Sequence, residues 1–227
     1  MLSLSNIFET INMIDKQHLD IRTITMGISL LDSPMDVYRE VMVPSNIRLP
    51  HLAELLIRTV GWTGYHLYEF QKDADLYTDK ASIKEYKSWP EHEFGPAPVT
   101  RYHDYTCYTL GQVLRKEGDS IEFRYDFGDD WKHDVVLLER GKYTDSQDSD
   151  FYVIGGEGAC PPEDVGGVGG YDYMLRLFKN PKENPEELEN YRQWLPEGFD
   201  PHHFDLHATQ LRIVDYLRVV RTFTERY

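Results

Sequence analysis

The chain has 227 residues, with 24 basic side chains against 39 acidic ones and a formal net charge of −15. That balance runs against broad, non-specific nucleic-acid binding, which needs cations to neutralise phosphates, although net charge does not fix how the charge is distributed. A hydrophobic content of 41%, with 16 Tyr, 10 Phe and 4 Trp, runs against a disordered chain and is enough for a sizeable core.

Cys107 and Cys160 allow at most one bridge, so no disulfide framework is expected. No run approaches the roughly 18 apolar residues of a membrane span. The N-terminus has no basic stretch, and Glu9 and Asp15 interrupt its apolar positions. No signal peptide is therefore expected, and a cytoplasmic location is.

Leu4, Ile7, Phe8, Ile11 and Ile14 recur at helical spacing and predict an N-terminal helical extension over residues 1–19. Packing against the core is its plainer role, docking to a partner the other. Ile24, Met26, Ile28 and Leu30 alternate and predict a strand. Residues 37–43 predict a second, antiparallel to the first and stopped by Pro44. Leu49, Leu52, Leu55, Leu56, Thr59 and Val60 then mark a helix that Gly61 ends. Residues 66–70 read as a third strand.

Residues 71–105 carry many charges and Pro90, Pro96 and Pro98 without sustained periodicity, which predicts a surface insertion. Thr109-Leu110-Gly111-Gln112 fits a capping box opening a short helix through Lys116. Ile121, Phe123, Tyr125 and Phe127 alternate with polar residues, and residues 131–139 are their hairpin partner around a turn at 128–130. A polar loop at 144–150, a short apolar run at 151–154 and a Gly- and Pro-rich loop at 155–170 follow. The remainder predicts helices at 171–179, after Asn184-Pro185-Glu186-Glu187, and at 208–223. The last has Leu211, Val214, Tyr216, Leu217 and Val220 as its apolar face.

The segment Tyr125-Asp126-Phe127-Gly128-Asp129-Asp130-Trp131-Lys132-His133-Asp134 concentrates chemistry at the hairpin tip. Its four carboxylates repel one another unless a cation, an arginine or shared protons intervene. An oxygen-rich cluster suits Mg, Ca or Mn, and His133 adds a nitrogen ligand or a general base. Strand alternation lets only two or three of these groups face one point. Asp126, Asp130 and His133 form the candidate set for a divalent metal such as Mg or Mn. The plainer reason for an acidic turn is structural, because Asp accepts backbone hydrogen bonds and tolerates turn dihedrals.

A second segment, Ala159-Cys160-Pro161-Pro162-Glu163-Asp164-Val165-Gly166-Gly167, is stiffened by prolines and then loosened by glycines. It suits a binding lip carrying the Glu163 and Asp164 carboxylates. Cys160 reads as a buried structural thiol, since no base accompanies it. The glycines before the next helix resemble a phosphate loop but lack its Gly-Lys-Ser/Thr ending. His66 and Glu69 fall on opposite faces of a regular strand, and His202, His203 and His207 read as surface or cap residues. The ligand-binding candidates are therefore His66, Asp126, Asp129, Asp130, Trp131, His133, Cys160, Glu163 and Asp164.

These motifs occur in a specific order. Gly61-Trp62 and His66-Leu67 with Phe70 come first, then the 125–133 segment, Cys160-Pro161-Pro162-Glu163-Asp164, Gly170-Tyr171, Phe199-Asp200-Pro201 and Phe204-Asp205. In that order the chain resembles the plasmid pRiA4b ORF-3-like family over roughly residues 20–215. The resemblance implies an α+β domain with a mixed, largely antiparallel sheet, flanking helices and a helical C-terminal part. Residues 216–227 would end the last helix. It implies no established activity. Some members carry a transposon-resolvase label and some are fused to DNA-binding domains; this chain has no resolvase catalytic motif, so the label does not transfer. Many relatives have a second histidine where this chain has Tyr68, and cysteines where it has Val153 and Val165. A three-thiolate metal site cannot form here.

Three functional readings follow. One is a binding or regulatory module of a mobile-element-associated family, its ligand lying between the hairpin tip and the 160–170 loop. The second is a metal-dependent hydrolase acting on a phosphoester or nucleic acid, with Asp126, Asp129 or Asp130 on the metal and His133 as base. The third is an acidic protein that mimics DNA towards a partner. A protein partner is compatible with the chain; a membrane is not.

Overall fold

Alternation in the first third produces two paired strands, β1 (Arg22–Leu30) and β2 (Tyr38–Pro44), in antiparallel register from Thr23–Pro44 to Ser29–Tyr38. The structure is a computed structural model and describes residues 22–88, 100–142 and 151–224. The N-terminal helix expected over 1–19, the loop at 144–150, Pro90, Pro96, Pro98 and the Val220 side chain lie outside the described residues.

Ile24, Met26, Ile28 and Leu30 of β1 and Arg39, Val41 and Val43 of β2 are buried, as one sheet face requires. The first helix, α1 (Leu49–Val60), adds Leu49, Leu52, Leu55 and Leu56 to the same core. It stops as its glycine predicts. Gly61 adopts φ 118, and the N–H groups of Gly61 and Trp62 both donate to the Ile57 carbonyl at 3.0 Å.

Next come β3 (Tyr68–Lys72), β4 (Asp75–Thr78), α2 (Lys80–Tyr86) and β5 (Arg101–Asp104). This corrects the expectation of a surface insertion at 71–105, whose described parts extend the sheet and bury Leu76 and Tyr77. The signal was missed because four-residue strands and a seven-residue helix are too short to display a period. The short helix α3 (Leu110–Val113) ends before the expected Lys116, with the Thr109 N–H donating to Gln112 Oε1 at 2.8 Å.

The hairpin of β6 (Ser120–Tyr125) and β7 (Trp131–Lys142) closes with Tyr125 opposite Trp131. The last strand, β8 (Tyr152–Glu157), pairs with β2. Three helices follow, α4 (Gly167–Lys179), α5 (Pro185–Trp194) and α6 (Leu206–Thr224). The eight strands run β5-β4-β3-β6-β7-β1-β2-β8, with β4 and β5 parallel and the other neighbours antiparallel. This is an α+β fold with a mixed, mostly antiparallel sheet. Tyr171 and Met174 of α4 and Ile213 of α6 join α1 in the core. No described helix is long and apolar enough to cross a membrane.

The α4 helix starts at Gly167, before the expected Tyr171, so most of the glycine run is the first turn of a helix rather than a loosened loop. The reason is crowding. A Cβ on Gly167 would lie 2.3 Å from the Asp129 carbonyl oxygen, and one on Gly170 would lie 1.9 Å from the Val165 carbonyl oxygen. Gly167 also has φ 65, a left-handed backbone that strains alanine. Gly167→Ala is therefore expected to cost about 2 kcal/mol or more. Gly169→Ala adds a Cβ with nothing within 4 Å and should hold or raise stability, by up to about 1 kcal/mol. Urea unfolding of the two variants checks the difference.

Candidate functional site

Three segments meet at the tip of the β6–β7 hairpin: residues 62–67 between α1 and β3, the hairpin loop 126–130, and the loop 160–167 leading into α4. Hydrogen bonds join them pairwise. Trp62 Nε1 donates to the Pro161 carbonyl at 2.9 Å. Glu163 Oε2 accepts from the Thr63 N–H at 2.9 Å and the Thr63 hydroxyl at 2.7 Å, while its Oε1 accepts from the Tyr125 hydroxyl at 2.5 Å. The Gly166 N–H donates to Asp129 Oδ2 at 3.2 Å.

The aspartates suit the backbone here. Asp126, Asp130 and Asp164 have φ of 56, 56 and 63, a left-handed region that Asp tolerates because its short side chain bonds locally. Asp126 Oδ1 accepts the Gly128 N–H at 2.9 Å, and the Asp126 carbonyl accepts the Asp130 N–H at 2.7 Å.

Most of the candidate residues have structural partners. Asp130 receives Arg124 Nε at 2.5 Å and Lys132 Nζ at 2.9 Å, and Arg124 also reaches Glu69 at 3.2 Å. Burial pushes the Asp130 carboxyl up, but hydrogen bonds from Lys132 and Arg124 outweigh it and hold it below the ordinary range. Asp129 holds Gly166, Glu163 holds Thr63 and Tyr125, and Asp134 lies across the ladder from Glu122. Trp131 is buried, its ring 5.3 Å from that of Trp62.

His133 is 1% exposed, with ring centroids of Trp62 and Phe123 at 5.4 and 5.8 Å. Among the described residues neither of its nitrogens has a partner in hydrogen-bond geometry. Burial pulls its pKa down to about 4, so it is neutral and sealed from solvent. Cys160 Sγ donates to the Pro161 carbonyl at 3.2 Å. Burial pushes this thiol up, against the pull of Arg39 and Arg212.

His66, Asp126 and Asp164 are brought together. His66 Nδ1 lies 3.6 Å from Asp126 Oδ2, and Nε2 lies 3.4 Å from Asp164 Oδ1. One ligand atom from each residue falls within 4.8 Å of the others, the one such group among the described residues. Asp130 and His133 do not join it. His66 can take part because β3 begins at Tyr68, which leaves it on a loop, free of strand alternation. Glu69 faces away, towards Arg124 and Tyr86. Arg39 was not among the candidates, although one signal was legible: it occupies a core-facing register with Val37, Val41 and Val43.

Residues 22–208 match the family model for plasmid pRiA4b ORF-3-like proteins. The chain belongs to that family. The matched span includes the β4–β5 segment. Within curated proteins, the chain is similar to the uncharacterised protein y4hQ of Sinorhizobium fredii (strain NBRC 101917 / NGR234), 32% identical over 157 residues, covering 67% of this chain and 72% of that protein. It is also similar to the crystal structure of a protein of unknown function, MM3350, from Methanosarcina mazei Go1. That likeness has a TM-score of 0.66 at 24% identity, covers 82% of this chain and 96% of the other, and concerns the fold alone. A stretch of 29 residues is 72% identical to a UPF0210 protein of Leuconostoc citreum, covering 13% of this chain and only 6% of that protein.

The sealed imidazole has a pH signature. His133 ordinarily titrates near 6.5 and here near 4. Between those values the unfolded chain takes up a proton that the native chain refuses, so stability is full above the window and falls as the pH drops through it. His133→Leu is expected to remove a fall on the order of 3 kcal/mol across that window. Chemical denaturation of parent and variant at several pH values measures it.

Proposed function

We propose that this protein is a binding module whose ligand docks where the hairpin loop 126–130 meets the loop 160–167, through a divalent cation held by His66, Asp126 and Asp164. One observation carries this reading. At a tip crowded with carboxylates, these three residues alone among the described ones hold His, Asp or Glu atoms around a common gap. The 3.6 Å contact to Asp126 uses His66 Nδ1 and the 3.4 Å contact to Asp164 uses Nε2; both exceed the usual 2.7–3.2 Å hydrogen bond, and only one of the two nitrogens can ligate a given ion.

Ligand atoms about 2.0–2.2 Å from one ion lie roughly 3–3.5 Å from one another, so a triad whose ligand atoms fall within 4.8 Å contracts at its widest separation on binding. The Asp164 side chain, 72% exposed, has the freedom to supply that movement. Two carboxylates suit Mg or Mn, and the imidazole tilts the set towards Mn or Zn.

The hydrolase reading names His133 as its base, and its burial supports binding over hydrolysis. The DNA-mimic reading needs unpaired carboxylates over one face, whereas Asp75, Asp104, Asp119 and Asp130 each face a Lys or Arg.

Millimolar Mn is expected to raise the melting temperature of the full chain, by about 1.4 kcal/mol of added stability at ten times the dissociation constant. His66→Ala should abolish the shift. So should Asp126→Asn, which keeps the Gly128 bond and tolerates the left-handed backbone. Asp130→Ala should keep the shift, since that carboxylate belongs to Arg124 and Lys132. No shift in the parent chain sinks the proposal.

A further inference from the structure

The loop that carries Glu163 and Asp164 also walls a cavity of about 530 Å³, together with the end of α1, the end of α5 and the start of α6. That volume is within the range of small-molecule sites. Arg39 and Arg212 both line it.

Arg39 is 3% exposed, placed there by the alternation of β2. Its Nη1 donates to the Tyr38 carbonyl at 2.6 Å and the Glu157 carbonyl at 2.7 Å, and its Nε donates to the Thr59 carbonyl at 3.3 Å. Its guanidinium lies 4.3 Å over the Phe204 ring. These contacts satisfy donors but do not neutralise the charge. Among the described residues no carboxylate reaches it. Burial pulls its pKa down to about 10, with Arg212 adding to the repulsion.

Arg212 Nη2 donates to Thr209 Oγ1 at 2.9 Å and lies beside Gly61. It too has no ion pair among the described residues. Three carboxylates line the cavity and each is turned to another partner: Glu163 to Thr63 and Tyr125, Asp164 to His66 Nε2 at 3.4 Å, and Asp205 to the Ala208 N–H at 2.8 Å at the start of α6. A chain of net charge −15 thus keeps two guanidinium groups in one cavity with no ion pair to either among the described residues. A charge taken out of water, as that of Arg39 is, is normally paired, and the forks of Arg39 and of the exposed Arg212 match the oxygens of phosphate and carboxylate. Trp194 and Phe199 add aromatic wall to the same cavity.

We propose that this cavity binds a small oxyanion attached to a flat apolar body, with the oxyanion bridging Arg39 and Arg212 and the ring lying against Trp194 and Phe199. The cavity adjoins the proposed cation site and shares Asp164 with it, while Arg39, Arg212, Trp194 and Phe199 belong to the cavity alone.

Isothermal titration of the full chain, with a chelator present so that no divalent cation contributes, tests it. The probes are phenyl phosphate, benzoate and adenosine monophosphate, with phenol as the neutral control. At least one anion is expected to bind at micromolar to submillimolar concentration, and phenol is not. Preference for phenyl phosphate, benzoate or the nucleotide identifies the source of the oxyanion, and each supports the site. Arg39→Gln also unties three backbone carbonyls, so the exposed Arg212→Gln is the deciding variant and should weaken binding at least tenfold. Arg39→Lys, folded by circular dichroism, should weaken it similarly by losing the fork. His66→Ala should bind the anion as the parent does, which keeps this result apart from that of the cation. Absence of anion binding at millimolar concentration, or binding that Arg212→Gln leaves unchanged, overturns the proposal.

Discussion

The site depends on one close approach of two backbones, the Gly167 α-carbon against the Asp129 carbonyl. Neither segment is stiff enough alone to hold a functional geometry. The hairpin loop has two non-glycine residues in the left-handed region, and the 160–167 loop runs between a strand and a helix without a ladder of its own. Docked, each supplies what the other lacks. Asp129 accepts the Gly166 N–H, Glu163 closes over Thr63 and Tyr125, and Asp164 comes to rest opposite His66. The glycines are there because a side chain would hold the two backbones apart.

Electrostatics then distributes roles among groups that look alike in composition. A carboxylate beside Arg124 and Lys132 is a structural ion-pair partner, whereas one beside His66 borders a gap. Of the two imidazoles near the tip, His133 is packed among rings and unprotonated, and His66 is half-buried between two carboxylates. Arg39 inverts the usual pattern: its charge is buried and bonded to carbonyl dipoles alone. Environment, rather than residue type, separates the packing groups from those able to take a ligand.

Much of the fold was legible in the sequence because its longer elements carry a period. The β1–β2 pair, α1 with its Gly61 stop and the β6–β7 hairpin all follow from spacing and turn chemistry. The β4 and β5 strands did not, because each is held by its neighbours in the sheet more than by any pattern within itself, and α2 between them has only seven residues in which to show one. The start of α4 was misplaced because glycine signals freedom in sequence, while here it answers a steric demand made by the distant Asp129. The hairpin tip and the Cys-Pro-Pro-Glu-Asp loop stood out by composition. Which of their residues share a point was not legible, because the 62–67 segment that brings His66 to them adopts no regular period. Arg39 was legible in principle, as a charge in a buried register, yet its meaning needed the cavity beside it.

The contacts that build this region also span long stretches of chain. Thr63 and Glu163 are 100 residues apart, Trp62 and Pro161 are 99, and Arg39 and Glu157 are 118. Closing such loops costs chain entropy before any contact returns it, so pairings of this range form late in folding. During synthesis β2 and α1 emerge long before the residues that complete their polar contacts. Neither half of the chain contains a site, and both candidate pockets come into existence only with the finished fold.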